Sequence, residues 1–239
     1  MAQLPQLSSP VTLGDQAYAA IREAIITGTL KRGEKVTERG LAESLSISAT
    51  PVREALRRLE QDRLVERTGP RSVRIAQFGK EELREFTMIE DALRALAARL
   101  AAEKSTAAQR REMSECLDTA DALRGEMRGV DPGTDRERDL VLEILALMRH
   151  FHALVDQASG NATLVQMLCT VDAFDSDERR SSVLSEVRGE HWRVLDERYR
   201  QHRAIYDAIA AGNGERAEEL MRSHSHSSNV SRIARRFAD

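Results

Sequence analysis

Three histidines in the C-terminal two thirds of this chain occupy positions where chemistry is possible. His152 stands four residues after Met148 and three before Val155, on the apolar face of a helical pattern. His202 shares a face with Ile205, Tyr206 and Ile209, and His224 shares one with Ala217, Leu220 and Met221. Three different helices thus each aim one imidazole inward, and three imidazoles can hold a divalent ion such as zinc or nickel. Three separate core histidines, each hydrogen-bonded to a neighbour, fit the same spacing, because spacing within helices says nothing about convergence between them. His150 and His226 lie two residues off these positions, which turns them toward solvent at about 100° per residue.

A second group lies near the N-terminus, in TERGLAESLSISATPVREALRRL (37–59). Leu41, Ala42, Leu45, Ile47, Val52, Ala55, Leu56 and Leu59 can form a small shared core between two short helices. Thr37 suits the N-cap of the first helix, and Ser48 or Thr50 that of the second, with Pro51 tolerated in its first turn. Ser48, Thr50, Arg53, Arg57 and Arg58 remain outward. Short hydroxyls at a helix start followed by arginines at i, i+4 spacing suit phosphate and base-edge contacts in a major groove. A capped surface helix with solvated arginines is the other reading of these residues.

The elements that must position these groups follow from periodicity and punctuation. Residues 16–30 read as an amphipathic helix closed at Gly28, followed by a short extended piece, Lys35–Thr37. Leu64–Glu66 and Val73–Ala76 read as two strands around a turn over 67–72. The order helix, strand, helix-turn-helix, hairpin is that of a winged helix-turn-helix. From residue 81 onward the pattern is helical, with helices expected at 80–103, 106–127, 136–158, 161–173, 184–211 and 214–236 and a charged mobile loop at 175–182. The expected architecture is mainly α: a flexible arm (1–13), a winged helix-turn-helix (14–78) and an all-helical bundle (79–239).

AYAAIREAIITGTLKRGEKVTERGLAESLSISATPVREALRRLEQDRLV, residues 17–65, resembles the GntR family of bacterial transcription regulators. The resemblance implies DNA contacts by Arg39, Ser48, Thr50 and Arg53, and by a wing around Gly69 and Arg71; Arg57, outward on the same helix, completes the candidate DNA-binding set. Where the family usually has Arg after the capping Ser, this chain has Ala49, which removes one base-reading arginine. Where the family carries Gly before the first wing strand, Arg63 must adopt the same backbone at modest cost.

FHALVDQASGNATL (151–164) and QHRAIYDAIAAGNGERAEELMRSH (201–224) resemble the FCD effector domain of the FadR-like branch. That resemblance implies that His152, His202 and His224 meet at a divalent metal. The family's acidic ligand, one turn before the first histidine, is replaced by Met148. A thioether is a poor zinc ligand, so the alternatives are a weakened three-histidine site, with water or effector completing the shell, and a site that has given up metal; the first is the expectation. Relatives usually carry Arg, then Glu four residues later, where this chain has Glu90 and Arg94. Arg94 is therefore a candidate effector contact displaced by one turn, with a solvated Glu90–Arg94 surface pair as the alternative.

Charge and composition agree with this class. Segment 14–80 has 13 Lys/Arg against 9 Asp/Glu (+4), whereas the whole chain has 36 against 39 (−3), leaving −7 for the remainder. A mildly basic head on an acidic body confines attraction for DNA to one end. Two cysteines imply no disulfide framework, no apolar run reaches membrane-spanning length, and the first residues lack the signal-peptide pattern, so a cytoplasmic protein is expected. Gly-rich phosphate loops, G-x-S-x-G and H-E-x-x-H are absent. The expectation is a non-enzymatic, homodimeric repressor of a double-stranded DNA operator. A small carboxylate effector would bind at or near the three histidines. A regulator whose effector is the ion itself, and a helical metallohydrolase with a DNA-targeting head, are the competing functions.

Overall fold

The computed structural model describes residues 11–77, 79–173 and 192–237. The chain forms two compact units that divide after residue 78.

In the N-terminal unit, α1 (Leu13–Ile26) begins at a capping box. Thr12 Oγ1 accepts from the Asp15 amide at 3.1 Å while Asp15 accepts from the Thr12 amide at 3.1 Å. The helix therefore starts inside the stretch read as an arm. Ala17, Ile21 and Ile25 recur every four residues and are buried. The helix stops before Gly28, whose φ of +74° reverses the chain. Strand β1 (Lys35–Thr37) leads into α2 (Glu38–Leu45), and Thr37 caps that helix by accepting from the Gly40 amide. Helix α3 (Ala49–Gln61) follows a turn in which Ser46 takes a φ of +55°. Leu41, Ala42, Val52, Ala55, Leu56 and Leu59 fill the space between the helices, whereas Leu45 and Ile47 are only half-buried.

Strands β2 (Val65–Gly69) and β3 (Ser72–Ile75) form the wing, in an antiparallel sheet ordered β1-β3-β2. Val73 and Ile75 point inward at period two, opposite Val36 and Val65 respectively. The strands run further than the sequence suggested, leaving only Pro70 and Arg71 as the turn, because an irregularity between Arg67 and Gly69 absorbs the extra residue. Arg63, ahead of β2, has a φ of +57°.

The C-terminal unit contains, among the described residues, helices α4 (Lys80–Lys104), α5 (Ala107–Met127), α6 (Asp135–Ala158), α7 (Ala162–Ala173), α8 (Trp192–Ala210) and α9 (Gly214–Arg236). Thr106 and Thr134 cap α5 and α6, and the side-chain oxygens of Asn161 and Asn213 accept from amides in the first turns of α7 and α9. Helix α4 presents Ala98, Ala101 and Ala102 to the core, and such small side chains let its neighbours approach closely. Phe151, Ile144, Leu117, Met113, Ile205, Ile209 and Met221 fill the space between α5, α6, α8 and α9. The first part of the helix read at 184–211, and the loop read at 175–182, lie outside the described residues.

Candidate nucleic-acid interface and metal centre

Helix α3 presents its polar face along one side. Ser48 occupies the N-cap position and is exposed, but its hydroxyl makes no cap hydrogen bond. Thr50 and Arg57 are exposed on the same helix, while Pro51 is buried in its first turn. Arg53 is half-buried and held. Its Nε donates to Oε2 of Glu38 at 3.1 Å, and its Nη2 lies 3.1 Å from the same oxygen as an ion-pair contact. The other oxygen, Oε1, faces Arg67 Nη1 of the wing strand at 3.5 Å, and Arg67 Nε reaches Glu60 at 3.3 Å. Glu38 is 2% exposed. A buried carboxylate is tolerated when two guanidinium groups compensate it.

Arg39, one position on, is almost fully exposed and, among the described residues, pairs with Glu43 at 2.7 Å. Arg71 is exposed at the wing turn. At Gly69, two residues before it, an added Cβ would lie 2.9 Å from Ser72 Oγ, so that hydroxyl would have to turn away. Arg58 is exposed, as expected of the outward set, but it is engaged within the protein. Its Nη1 binds Asp15 at 2.5 Å and its guanidinium lies 4.1 Å from the Tyr18 ring centre, so it fastens α3 to α1.

The three inward histidines meet. The structure brings His152 from α6, His202 from α8 and His224 from α9 into one cluster. Nε2 of His152 lies 3.1 Å from Nε2 of His202 and 3.3 Å from Nε2 of His224. Ligand nitrogens about 2.1 Å from one ion, at tetrahedral to octahedral angles, stand roughly 3.0–3.4 Å apart, which the two separations from His152 match, and the three ligand atoms all lie within 4.8 Å of one another. The outer hydrogen bonds agree. Nδ1–H of His202 donates to the Arg198 carbonyl at 2.6 Å, and Nδ1–H of His224 donates to Gln201 Oε1 at 2.8 Å. Each bond fixes the tautomer that leaves Nε2 with its lone pair toward the shared point. Burial lowers the His202 pKa to about 4, so the ring is neutral at physiological pH. The donor set fits a borderline divalent ion, and these three residues could hold one. His150 and His226 are exposed and stand outside the cluster.

Met148 is buried in the apolar core one turn before His152 and brings no charge to the centre. Asp156, one turn after His152, is occupied elsewhere, accepting from Arg94 Nη1 at 3.1 Å. Arg94 Nε also donates to Glu90 at 3.1 Å, and Glu90 and Arg94 are 2% and 4% exposed. The alternative of a solvated surface pair is therefore corrected: α6 supplies a third charged partner and the group lies in the interior. A second polar pair lies nearby on α4, where Asp91 accepts from Asn229 Nδ2 at 2.7 Å and from His226 Nδ1 at 3.2 Å, and burial pushes its carboxyl pKa up.

Sequence reading missed Glu38, Gln201 and Asp156. Their partners lie 15 or more residues away, and helical spacing carries no such signal; Gln201, 23 residues from His224, had only its place beside His202 to suggest it.

Comparison with known proteins defines the class. Residues 13–75 match the bacterial regulatory proteins of the gntR family, and residues 85–227 match the FCD domain. The chain belongs to the GntR family of transcription regulators, in the FadR-like branch that carries an FCD domain. It is a regulator and not an enzyme, which removes the metallohydrolase alternative. It is similar to an HTH-type transcriptional regulator of Bacillus subtilis, YdhC, with 25% identity covering 92% of this chain and 90% of that one. It is 30% identical to a Paenarthrobacter nicotinovorans protein named "Probable D-xylose utilization operon transcriptional repressor", covering 89% of this chain and 85% of the relative. Among solved structures, Escherichia coli McbR/YncC shares the fold with a TM-score of 0.74 at 22% identity, covering 95% of this chain and 100% of that one. Among the described residues, no helix is long and apolar enough to cross a membrane.

Proposed function

We propose that this protein is a ligand-controlled repressor that acts as a homodimer on a near-palindromic DNA operator in the cytoplasm. Two copies of α3 would enter successive major grooves and two wings would lie on the backbone. Ser48, Thr50 and Arg53 are proposed to meet base edges. Arg39, Arg57, Arg71 and the backbone at Gly69 are proposed to meet phosphates, which position the protein without reading sequence. Repression is also the activity named for the Paenarthrobacter relative.

The observation that carries the regulatory half is the convergence of three Nε2 atoms, with the two Nδ1–H bonds that orient them. A divalent ion such as zinc or nickel bound by three neutral histidines keeps its full double charge, since Met148 supplies no anion. A small carboxylate effector completing its shell would be attracted there. Such an effector changes operator affinity only by binding one arrangement of the protein better than the other.

One observation favours a second reading, in which the ion alone is the effector. Arg94, the candidate anion contact, is already held by Glu90 and Asp156, so an incoming carboxylate must compete with two resident ones.

The test uses full-length protein, stripped with chelator, and operator DNA obtained by selection from a random pool. Fluorescence anisotropy is measured with zinc or nickel alone, and with each ion plus a panel of small carboxylates. Carboxylate-dependent release in the presence of metal supports the first reading, and release by metal alone supports the second. Operator affinity that responds to neither refutes both.

A further inference from the structure

The carboxylate of Glu38 has a role beyond packing. It is the first residue of α2, and its own amide donates to the Arg71 carbonyl in the wing turn at 3.1 Å. Its side chain extends into the junction between α3 and β2, where Arg53 and Arg67 close on it from two sides. Arg53 stands five residues beyond Ser48, about one and a half turns into the helix. One hydrogen bond from Nε and the ion-pair contact of Nη2 hold the Nε–Nη2 edge of the guanidinium on a single carboxylate oxygen of Glu38. Held by that edge, the group is restricted in the directions it can present to DNA. Arginine reads guanine through two parallel N–H bonds, so the orientation of the guanidinium plane decides whether the contact forms. A long side chain that is already oriented loses less freedom on binding.

An acid in this place is otherwise a liability. DNA binding draws on positive charge near phosphates, and Glu38 cancels part of it. A residue that weakens the attraction common to all sequences, while fixing the geometry of one base contact, increases discrimination rather than affinity. We infer that Glu38 is a positioning residue for operator specificity: it holds Arg53 in the orientation that reads a base and ties the wing strand, through Arg67, to the same carboxylate. This rests on the proposal that Arg53 meets a base edge.

The experiment takes full-length wild type, Glu38→Gln, Glu38→Asp and Arg53→Ala through the same random-pool DNA selection, with anisotropy on the selected and on random duplexes. Arg53→Ala identifies the base pair that Arg53 reads in each half-site. Glu38→Gln keeps the shape and removes the charge. Glu38→Asp keeps the charge and withdraws it by one methylene. Both Glu38 variants are expected to lose about tenfold discrimination at that base pair, and to keep it elsewhere. Glu38→Gln is also expected to bind random DNA as well as or better than wild type. A purely structural role would instead lower affinity for every sequence together. Unchanged discrimination at the Arg53 base pair, or a uniform loss across all DNA, overturns the inference. If Arg53→Ala itself selects the wild-type sequence with wild-type discrimination, the reading of Arg53 fails and the inference falls with it, a result distinguishable from failure of the Glu38 variants alone.

Discussion

Replacing Arg94 by Met separates a structural role from an effector-binding one. Arg94 is 4% exposed and is shared by Glu90 on its own helix and Asp156 on α6. Met keeps most of the side-chain volume, so the main loss is the counter-charge. Two carboxylates are then left in the interior without it, and removing one partner of a buried ion pair costs about 3–5 kcal/mol. In a protein of this size each kcal/mol shifts the melting temperature by roughly 2–4 °C, so a fall on the order of 10 °C is expected. Urea denaturation followed by circular dichroism measures the free energy, with an unchanged slope showing that the same surface is exposed on unfolding. Adding Glu90→Gln and Asp156→Asn to Arg94→Met is expected to recover much of the loss, because neutral amides need no counter-ion. The single variant is also expected to lose part of its deficit in acid, where carboxylates take up protons. A loss below about 1 kcal/mol for Arg94→Met would refute the buried-triad argument and return Arg94 to the set of groups available to an anion.

His202→Ala is expected to abolish binding of added zinc or nickel in equilibrium dialysis, whereas His150→Ala leaves it unchanged. Met148→Asp places a carboxylate one turn before His152 and is expected to tighten metal binding at least tenfold, read by competition with a chromophoric chelator. Metal-free protein should lose stability in acid. Because burial lowers the folded His202 pKa from 6.5 to about 4, the contribution is present above pH 6.5 and lost as pH falls toward 4. The loss amounts to about 2 kcal/mol at pH 5, and a Tm series in chelator that is flat from pH 7 to 5 would contradict it. Arg71→Ala is expected to weaken operator and random DNA by similar factors and to lower the salt dependence by about one counter-ion, measured by anisotropy from low to moderate salt.

Local rules made the head of the molecule legible. The Thr37 cap and the reversal at Gly28 are each set by a few neighbouring residues and take the place the sequence suggested, and Arg63 is left-handed where the family resemblance implied it. The faces of the three histidine-bearing helices were equally legible, because helical period relates residues three and four apart. Their meeting point was not legible from spacing and came only from the family resemblance. His152 is 50 residues from His202 and 72 from His224, and only tertiary packing relates them. The same limit explains Glu90 and Arg94: an i, i+4 ion pair looks alike on a wet face and on a buried one until α6, with Asp156, is in place. Arg58 is outward as read, but its partners Asp15 and Tyr18 on α1 lie about forty residues upstream, beyond the reach of helical spacing.

The histidine cluster also bears on how long a molecule of this protein survives. Its three ligands come from α6, α8 and α9, so the site exists only when those helices are assembled. An ion with affinity for the assembled bundle and little for the open chain shifts the folding equilibrium by about 1.4 kcal/mol for every tenfold excess over its dissociation constant. Because cellular proteases remove open chains, a shift of that size changes abundance several-fold. Metal supply would then set the number of regulator molecules in the cell, and through that number the occupancy of an operator, even where the ion altered no contact with DNA.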